Sequence, residues 1–134
     1  MTYFAWRDDL SVGNTFIDGD HRKLIGLVNE LHTAMGQGSG RELVGKVLGE
    51  LIRYTKTHFQ REEDYMAKIA YPALATHKTE HDKLLVQVQD LQAKFDSGAA
   101  MVSVQVSRFL RDWLTTHILK SDKALAAAIK NAGH

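Results

Sequence analysis

Two histidines four residues apart, in the segment His77-Lys-Thr-Glu-His81, are the first residues whose spacing suggests chemistry. On an α-helix this spacing corresponds to about 40° of rotation and about 6 Å of rise, so both imidazoles leave the same face. Leu84 and Phe95 continue that face, which indicates that the pair points into a core. The pair alone fits a shared metal ion and a half-exposed helix end equally well.

A glutamate at an inward-facing position of a second helix favours a metal site. In a second helix, predicted from Arg41 to Ile69, His58 and Glu62 share a face with apolar residues such as Leu48. Glutamate is almost never fully buried without a partner. A lysine or arginine of a neighbouring helix would be one such partner, but metal coordination is the interpretation that we favour.

The ends of two further helices supply the remaining candidates. His21 stands near the start of the first helix, which Asp18 or Asp20 is expected to cap. His117 stands near the end of the fourth helix, and Asp122 follows it by five residues, which is about 140° around an ideal helix. Both can face one point only if a π-type turn or a break loosens the helix there.

The helices that must position these residues predict an all-α, up-down-up-down four-helix bundle. We expect one domain, 1–134, with an aromatic-rich arm (1–17), the bundle (about 18–120) and a short terminal helix (about 122–131). The third helix is expected to begin at Pro72 and the fourth near Met101, and Phe16 and Phe109 are expected to pack inward. Antiparallel succession then brings seven residues to one level: His21, His58, Glu62, His77, His81, His117 and Asp122.

Seven ligands exceed what one ion accepts, because zinc takes four and octahedral metals take six. Two ions that share both carboxylates would use all seven and leave at least one position open for a small ligand. The spacing does not select iron, since zinc and copper bind nitrogen and oxygen sites more tightly. His32 lies too far along its helix to join the cluster, and neither it nor the terminal His134 is a predicted ligand.

Composition excludes several other classes. The chain has no cysteine, which excludes disulfides, thiolate metal sites and iron–sulfur clusters. A formal charge of +1 without a basic run argues against nucleic acid as a partner. The N-terminus lacks the apolar stretch of a signal peptide, and no run reaches the roughly 20 apolar residues of a membrane span. We therefore expect a cytoplasmic protein, and the mixed charges of the outward faces favour a monomer.

The order of these motifs resembles the hemerythrin family, and within it the single-domain bacteriohemerythrins. The resemblance covers nearly the whole chain and all seven candidate positions. The family often has Gln immediately before the first histidine, where this chain has Asp20. We expect this acid to lower the reduction potential of the site without altering the ligand. The segments that carry the resemblance are Asp18-Gly-Asp-His21, His58-Phe59-Gln-Arg-Glu62, Tyr71-Pro72, His77-Lys-Thr-Glu-His81 and Trp113-Leu-Thr-Thr-His117-Ile-Leu-Lys-Ser-Asp122.

The resemblance implies a non-haem centre of two Fe ions with a bridging oxo or hydroxo group, which binds O2 reversibly for oxygen carriage, storage, delivery or sensing. It implies one iron bound by His77, His81 and His117, a second bound by His21 and His58, and bridges from Glu62 and Asp122. The second iron keeps the open position for dioxygen. An oxygen-using enzyme is a candidate partner. Five residues that flank the ligands are expected to form an apolar pocket around the open position: Leu24, Phe59, Trp113, Leu114 and Ile118.

An enzyme that acts on nitric oxide or peroxide at the same centre is the alternative. Di-iron oxidases and ferritins use Glu-x-x-His pairs, and this chain contains none. The sequence shows no acid, base or nucleophile in the pocket beyond the ligands. We therefore expect a binding protein without catalytic residues.

Overall fold

The computed structural model describes residues 3–36, 41–97 and 104–132. A 3₁₀ turn at Asp8–Leu10 precedes α1 (Thr15–Gly36), α2 (Arg41–Lys68), α3 (Leu74–Asp96) and α4 (Val104–His117). A π-helical turn, Ile118–Asp122, then leads into α5 (Lys123–Asn131). Helix α1 packs against α2 and α4, and α2 packs against α3. The predicted all-α four-helix bundle is confirmed.

The start of α1 differs from the expectation. Asn14 caps the helix, because its side-chain oxygen accepts hydrogen bonds from two backbone N–H groups of the first turn, at 3.0 and 3.1 Å. Asp18 instead accepts hydrogen bonds from the Ser11 hydroxyl (2.6 Å) and the Val12 N–H (2.9 Å), which tie the arm to the helix. The prediction that Asp18 or Asp20 caps α1 was wrong, because the helix begins at Thr15 and both acids lie inside it.

Helix α3 begins at Leu74, two residues after the expected start at Pro72. Pro72 lies in a turn closed by a hydrogen bond from the Leu74 N–H to the Tyr71 carbonyl, at 3.1 Å. The predicted start of α4 near Met101 lies outside the described residues, as does His134.

Two apolar clusters fill the bundle. The larger joins the arm to all four long helices and includes Leu10, Leu31, Leu48 and Ile118. The smaller consists of Ile17, Met66, Leu125 and Ile129, and it holds α5 against the start of α1 and the end of α2. Along the chain, three of the candidate ligands fall between members of the two clusters: His21 on α1, Glu62 on α2 and Asp122 in the π-helical turn. Apolar packing therefore lies on both sides of the polar level.

Two side chains that were expected to pack inward are exposed. Phe16 is 75% exposed and Phe109 is 41% exposed. Each immediately precedes a buried residue, Ile17 and Leu110 respectively. Successive residues on a helix point about 100° apart, and in each of these pairs the second residue is the one that faces the core.

The arm packs along α1. The Phe4 backbone exchanges two hydrogen bonds with the Asn29 side chain, at 2.7 and 2.8 Å. The Tyr3 ring stacks on His32, with centroids 3.6 Å apart, and the Arg22 guanidinium lies 4.5 Å from the Trp6 ring. His32 is thus held in a contact with the arm, away from the other histidines, as its position along the helix predicts. Within the described part of the chain, no helix has the length and apolar character that a membrane crossing requires.

Candidate metal centre

The end of α4 places His117 and Asp122 on one side of the helix. A π-helical turn is wider than an α-helical turn, so residues five apart can face the same way. His117 Nε2 lies 3.2 Å from Asp122 Oδ1 across the turn Ile118–Asp122. The sequence required either a π-type turn or a break here, and the structure has the π-type turn.

The first group of candidate ligands contains three histidines, His77, His81 and His117. The Nε2 atoms of His77 and His81 each lie 3.1 Å from Nε2 of His117. Glu62 Oε1 lies 3.1 Å from His81 Nε2 and 3.5 Å from His77 Nε2. Asp122 Oδ1 lies 3.1 Å from His77 Nε2. Ligand atoms about 2.1 Å from one ion and at right angles lie about 3 Å apart, so these separations fit one coordination sphere.

The second group contains two histidines and the opposite oxygens of the same two carboxylates. His21 Nε2 lies 2.9 Å from Asp122 Oδ2 and 3.9 Å from Glu62 Oε2. His58 Nε2 lies 3.3 Å from Glu62 Oε2. Each carboxylate therefore directs one oxygen to the three-histidine group and the other oxygen to the two-histidine group, which is the arrangement of a bridging ligand.

All seven side chains are buried, with at most 4% of any residue exposed. Among the described residues, both oxygens of Glu62 and Asp122, both ring nitrogens of His21 and Nε2 of His58 have no hydrogen-bond partner. These atoms lie close to one another, but their contacts do not have the geometry of hydrogen bonds. Buried polar groups left unpaired cost about 1–3 kcal/mol each. A convergent set of imidazole and carboxylate donors fits transition-metal ions such as iron or zinc, which would satisfy these atoms.

The two carboxylates are held in their charged form. Burial raises the pKa of Glu62, as does the charge of Asp122, but His58 and His77 outweigh both and lower the pKa to about 2. Burial also raises the pKa of Asp122, but contacts with His117, His21 and His77 hold it well below its usual range. Both groups therefore offer negative oxygens at neutral pH.

Two of the histidines bind protons tightly before any metal binds. Burial lowers the pKa of His58, but the charge of Glu62 and the contact with Asp20 raise it to about 10. Burial lowers the pKa of His77, and contacts with Asp122 and Glu62 raise it to about 9. The positive charges of these two imidazolium groups offset the negative charges of Glu62 and Asp122.

Three further carboxylates accept hydrogen bonds from the outer nitrogens of the histidines. The sequence analysis placed Asp20 near the site without its contact to His58, and it missed Glu63 and Glu80. Each acid is adjacent in sequence to a candidate ligand and reaches a histidine of the next helix. Such contacts fix the tautomer and orientation of metal-binding histidines. The sequence signal was this adjacency to a ligand. The pairs are His58 Nδ1 with Asp20 (3.0 Å), His81 Nδ1 with Glu63 (3.1 Å) and His117 Nδ1 with Glu80 (3.0 Å).

Asp20 belongs to a larger polar contact. Its Oδ1 accepts hydrogen bonds from the Tyr54 hydroxyl (2.8 Å) and from Arg61, while Oδ2 faces His58. Burial raises the pKa of Asp20, but these three partners hold it far below its usual range. The acid thus acts on His58 of α2, and not on its neighbour in sequence, His21.

The predicted pocket residues border the cluster unevenly. Phe59 stacks on His81, with centroids 3.7 Å apart, and Trp113 stacks on His117 at 4.5 Å. Both aromatic rings therefore cover the three-histidine group. The other three, Leu24, Leu114 and Ile118, are buried in the larger apolar cluster.

A cavity of about 340 Å³ opens between α1 and α2 on the side of the two-histidine group. Ile17 and Tyr65 contribute apolar surface, and Asp20, Arg61 and Glu62 contribute polar surface. Because Glu62 is one of the seven candidate ligands, this cavity lies directly beside the cluster.

Comparisons with known proteins match this arrangement. The sequence profile described as the hemerythrin HHE cation binding domain matches residues 12–129. A bacteriohemerythrin of Methylococcus capsulatus is 44% identical over 123 residues, which cover 92% of either chain. A bacteriohemerythrin of Stenotrophomonas maltophilia is 35% identical over 97% of this chain and 84% of its own. A crystal structure described as wild-type hemerythrin, 39% identical, has a TM-score of 0.91 and covers 95% of this chain and 98% of its own.

Proposed function

Because the chain belongs to the hemerythrin family, we propose that it binds dioxygen reversibly at a non-haem di-iron centre. The observation that carries this proposal is the division of each carboxylate between two groups of histidines. In the proposed centre His77, His81 and His117 would hold one iron, His21 and His58 would hold the other, and Glu62 and Asp122, which belong to both candidate groups, would be shared between them.

The number of protein donors supports one open position. The three-histidine group supplies five protein atoms, three nitrogens and two carboxylate oxygens, whereas the two-histidine group supplies four. With one oxo or hydroxo bridge, octahedral coordination would be complete at the first ion and one position short at the second. A diatomic ligand would therefore bind on the side of His21 and His58.

The iron pair would supply electrons to dioxygen while it is held and recover them on release. Phe59, which stacks on His81, and Ile118, which follows His117, are almost fully buried and shield the three-histidine side of the site from water. A dry site disfavours loss of reduced oxygen and permanent oxidation of the metal. The outer carboxylates hold three of the imidazoles in fixed orientations.

The family relationship favours a binding protein over an enzyme, because the relatives are named bacteriohemerythrins. We propose a role in oxygen carriage, storage, delivery or sensing. An enzyme that consumes oxygen would be a suitable partner for delivery.

Anaerobic loading with ferrous iron tests the proposal. We expect about two irons per chain and an absorption spectrum that changes on exposure to O2 and returns under argon. His81→Asn should abolish the response, whereas His32→Asn, a histidine outside the cluster, should leave it intact. Uptake of iron without a reversible change would contradict oxygen binding, and steady consumption of nitric oxide or peroxide would favour an enzyme.

A further inference from the structure

We propose that Asp20 is a positioning residue that orients His58 and lowers the reduction potential of the centre, and that Tyr54 and Arg61 moderate this effect by sharing its carboxylate. The inference rests on the proposed function, because it assumes a redox-active metal pair. Asp20 itself does not belong to either group of candidate ligands.

The contact is built from one acid of α1 and one stripe of α2. Tyr54, His58 and Arg61 are spaced four and three residues apart, which places them on one face of the helix. All three direct polar atoms to the same carboxylate: Nδ1 of His58 to Oδ2, and the Tyr54 hydroxyl and Arg61 to Oδ1. Asp20 is therefore fixed by both of its oxygens.

This contact sets the direction of the imidazole. With Nδ1 of His58 held 3.0 Å from Asp20, Nε2 on the other side of the ring lies 3.3 Å from Glu62 Oε2. The side chains of His58 and Asp20 are 1% and 11% exposed, so water competes little for this hydrogen bond. The structure thus aims Nε2 at the two-histidine group.

The charge on Asp20 also acts through the ring. A carboxylate that accepts the outer N–H makes a metal-binding imidazole more basic, and a more basic ligand stabilises ferric over ferrous iron. On the two-histidine side, no other carboxylate has this role among the described residues, because Nδ1 of His21 has no hydrogen-bond partner there. The proposed open position belongs to this same ion.

Tyr54 and Arg61 have the opposite effect. Hydrogen bonds from both groups draw charge toward Oδ1 and make Asp20 a weaker acceptor for His58. Arg61 is 53% exposed, so water screens part of its charge. Removal of either group should strengthen the effect of Asp20, whereas removal of Asp20 should abolish it.

The test compares reduction potentials of four iron-loaded variants: Asp20→Asn, Tyr54→Phe, Arg61→Gln and Asp82→Asn. Asp82 is the matched control, because it also neighbours a candidate histidine but is exposed and pairs with Lys78 at 3.2 Å. Asp20→Asn should lower the ratio of ferric to ferrous affinity about tenfold. A tenfold lower ratio raises the reduction potential by about 59 mV for one electron. Tyr54→Phe and Arg61→Gln should lower it by less, and Asp82→Asn should leave it unchanged.

Zinc loading supplies a second readout that needs neither iron nor oxygen. In the zinc form we expect an exchange-protected His58 Nδ1–H signal by ¹⁵N NMR, which shifts in Asp20→Asn but not in Asp82→Asn. Zinc affinity should fall about tenfold in Asp20→Asn. If the unchanged chain fails to bind O2, the proposed function is lost while these measurements still decide the role of Asp20.

Two outcomes would overturn the inference. One is an Asp20→Asn variant whose zinc affinity and ferric-to-ferrous affinity ratio both stay within twofold of those of the unchanged protein. The other is a shift of the same sign in Asp20→Asn, Tyr54→Phe and Arg61→Gln, because a purely structural contact would weaken in all three. The Arg61 side chain is 53% exposed, so we expect Arg61→Gln to fold. Its reduction potential therefore still tests the inference if the Asp20→Asn variant folds poorly.

Discussion

Loading of the metal-free chain with zinc should release about two protons per chain from its side chains at pH 7.5, in addition to any proton that a bridging water gives up. His58 and His77 have pKa values of about 10 and about 9, so both are protonated at this pH, and both must lose a proton to bind a metal. Glu62, with a pKa of about 2, has no proton to release, and neither does Asp122, whose pKa is lower than usual. Zinc is the suitable probe because it does not change oxidation state.

The same two protons fix the pH dependence of affinity. Each displaced proton changes the apparent affinity tenfold per pH unit, so affinity should rise about a hundredfold between pH 7 and pH 8, or about 2.7 kcal/mol. At pH 9.5 His77 is mostly neutral and His58 mostly charged. Proton release should then fall to about one per chain.

Calorimetric titration in buffers of different protonation enthalpy measures the number directly. His32→Asn is the control, because His32 lies outside the cluster and stacks on Tyr3. Release of fewer than one proton at pH 7.5, or an affinity that does not change with pH, would refute the assignment of two charged imidazoles to the metal-free cluster.

Two further predictions concern stability. In the metal-free protein, the two charged histidines have pKa values above the ordinary 6.5, so their contribution is complete below pH 6.5 and is lost as pH rises toward 10. The pKa of Glu62 is lowered from 4.5 to about 2, so its contribution is lost as pH falls from 4.5 toward 2. Urea midpoints should therefore be highest between pH 4.5 and 6.5, and a midpoint that rises from pH 6.5 to 10 would contradict this. Gly26→Ala should raise the free energy of unfolding by about 0.5–1 kcal/mol, because a Cβ there meets nothing within 4 Å. Gly45→Ala should lower the free energy of unfolding, because its Cβ would lie 2.9 Å from the buried Phe95 ring. Chemical denaturation measures both, and an equal gain in the two variants would contradict the clash with Phe95.

The helices and the level at which the seven residues meet were predictable from periodicity. Inward histidines and acids recur at helical spacing, and antiparallel succession determines which ends lie side by side. The need for a π-type turn or a break followed from one constraint, since His117 and Asp122 are five residues apart and cannot share a face of an ideal helix. The structure has a π-helical turn at this place, Ile118–Asp122.

Other features depend on tertiary detail that periodicity does not contain. Asn14, Asp18 and Asp20 are all good N-cap residues, and the choice among them depended on which acids had partners elsewhere. Phe16 and Phe109 each stand next to an equally apolar residue, so hydropathy alone does not say which one faces the core. The contacts of the three outer acids depend on how neighbouring helices are rotated about their axes.

The outer acids link the helices in order around the bundle. Asp20 of α1 contacts His58 of α2, Glu63 of α2 contacts His81 of α3, and Glu80 of α3 contacts His117 of α4. Asp122, after α4, returns to His21 of α1. No helix can therefore turn about its axis without disturbing a ligand of its neighbour. These contacts couple the orientation of each long helix to a candidate ligand of the next, so the geometry of the cluster depends on the whole cross-section of the bundle.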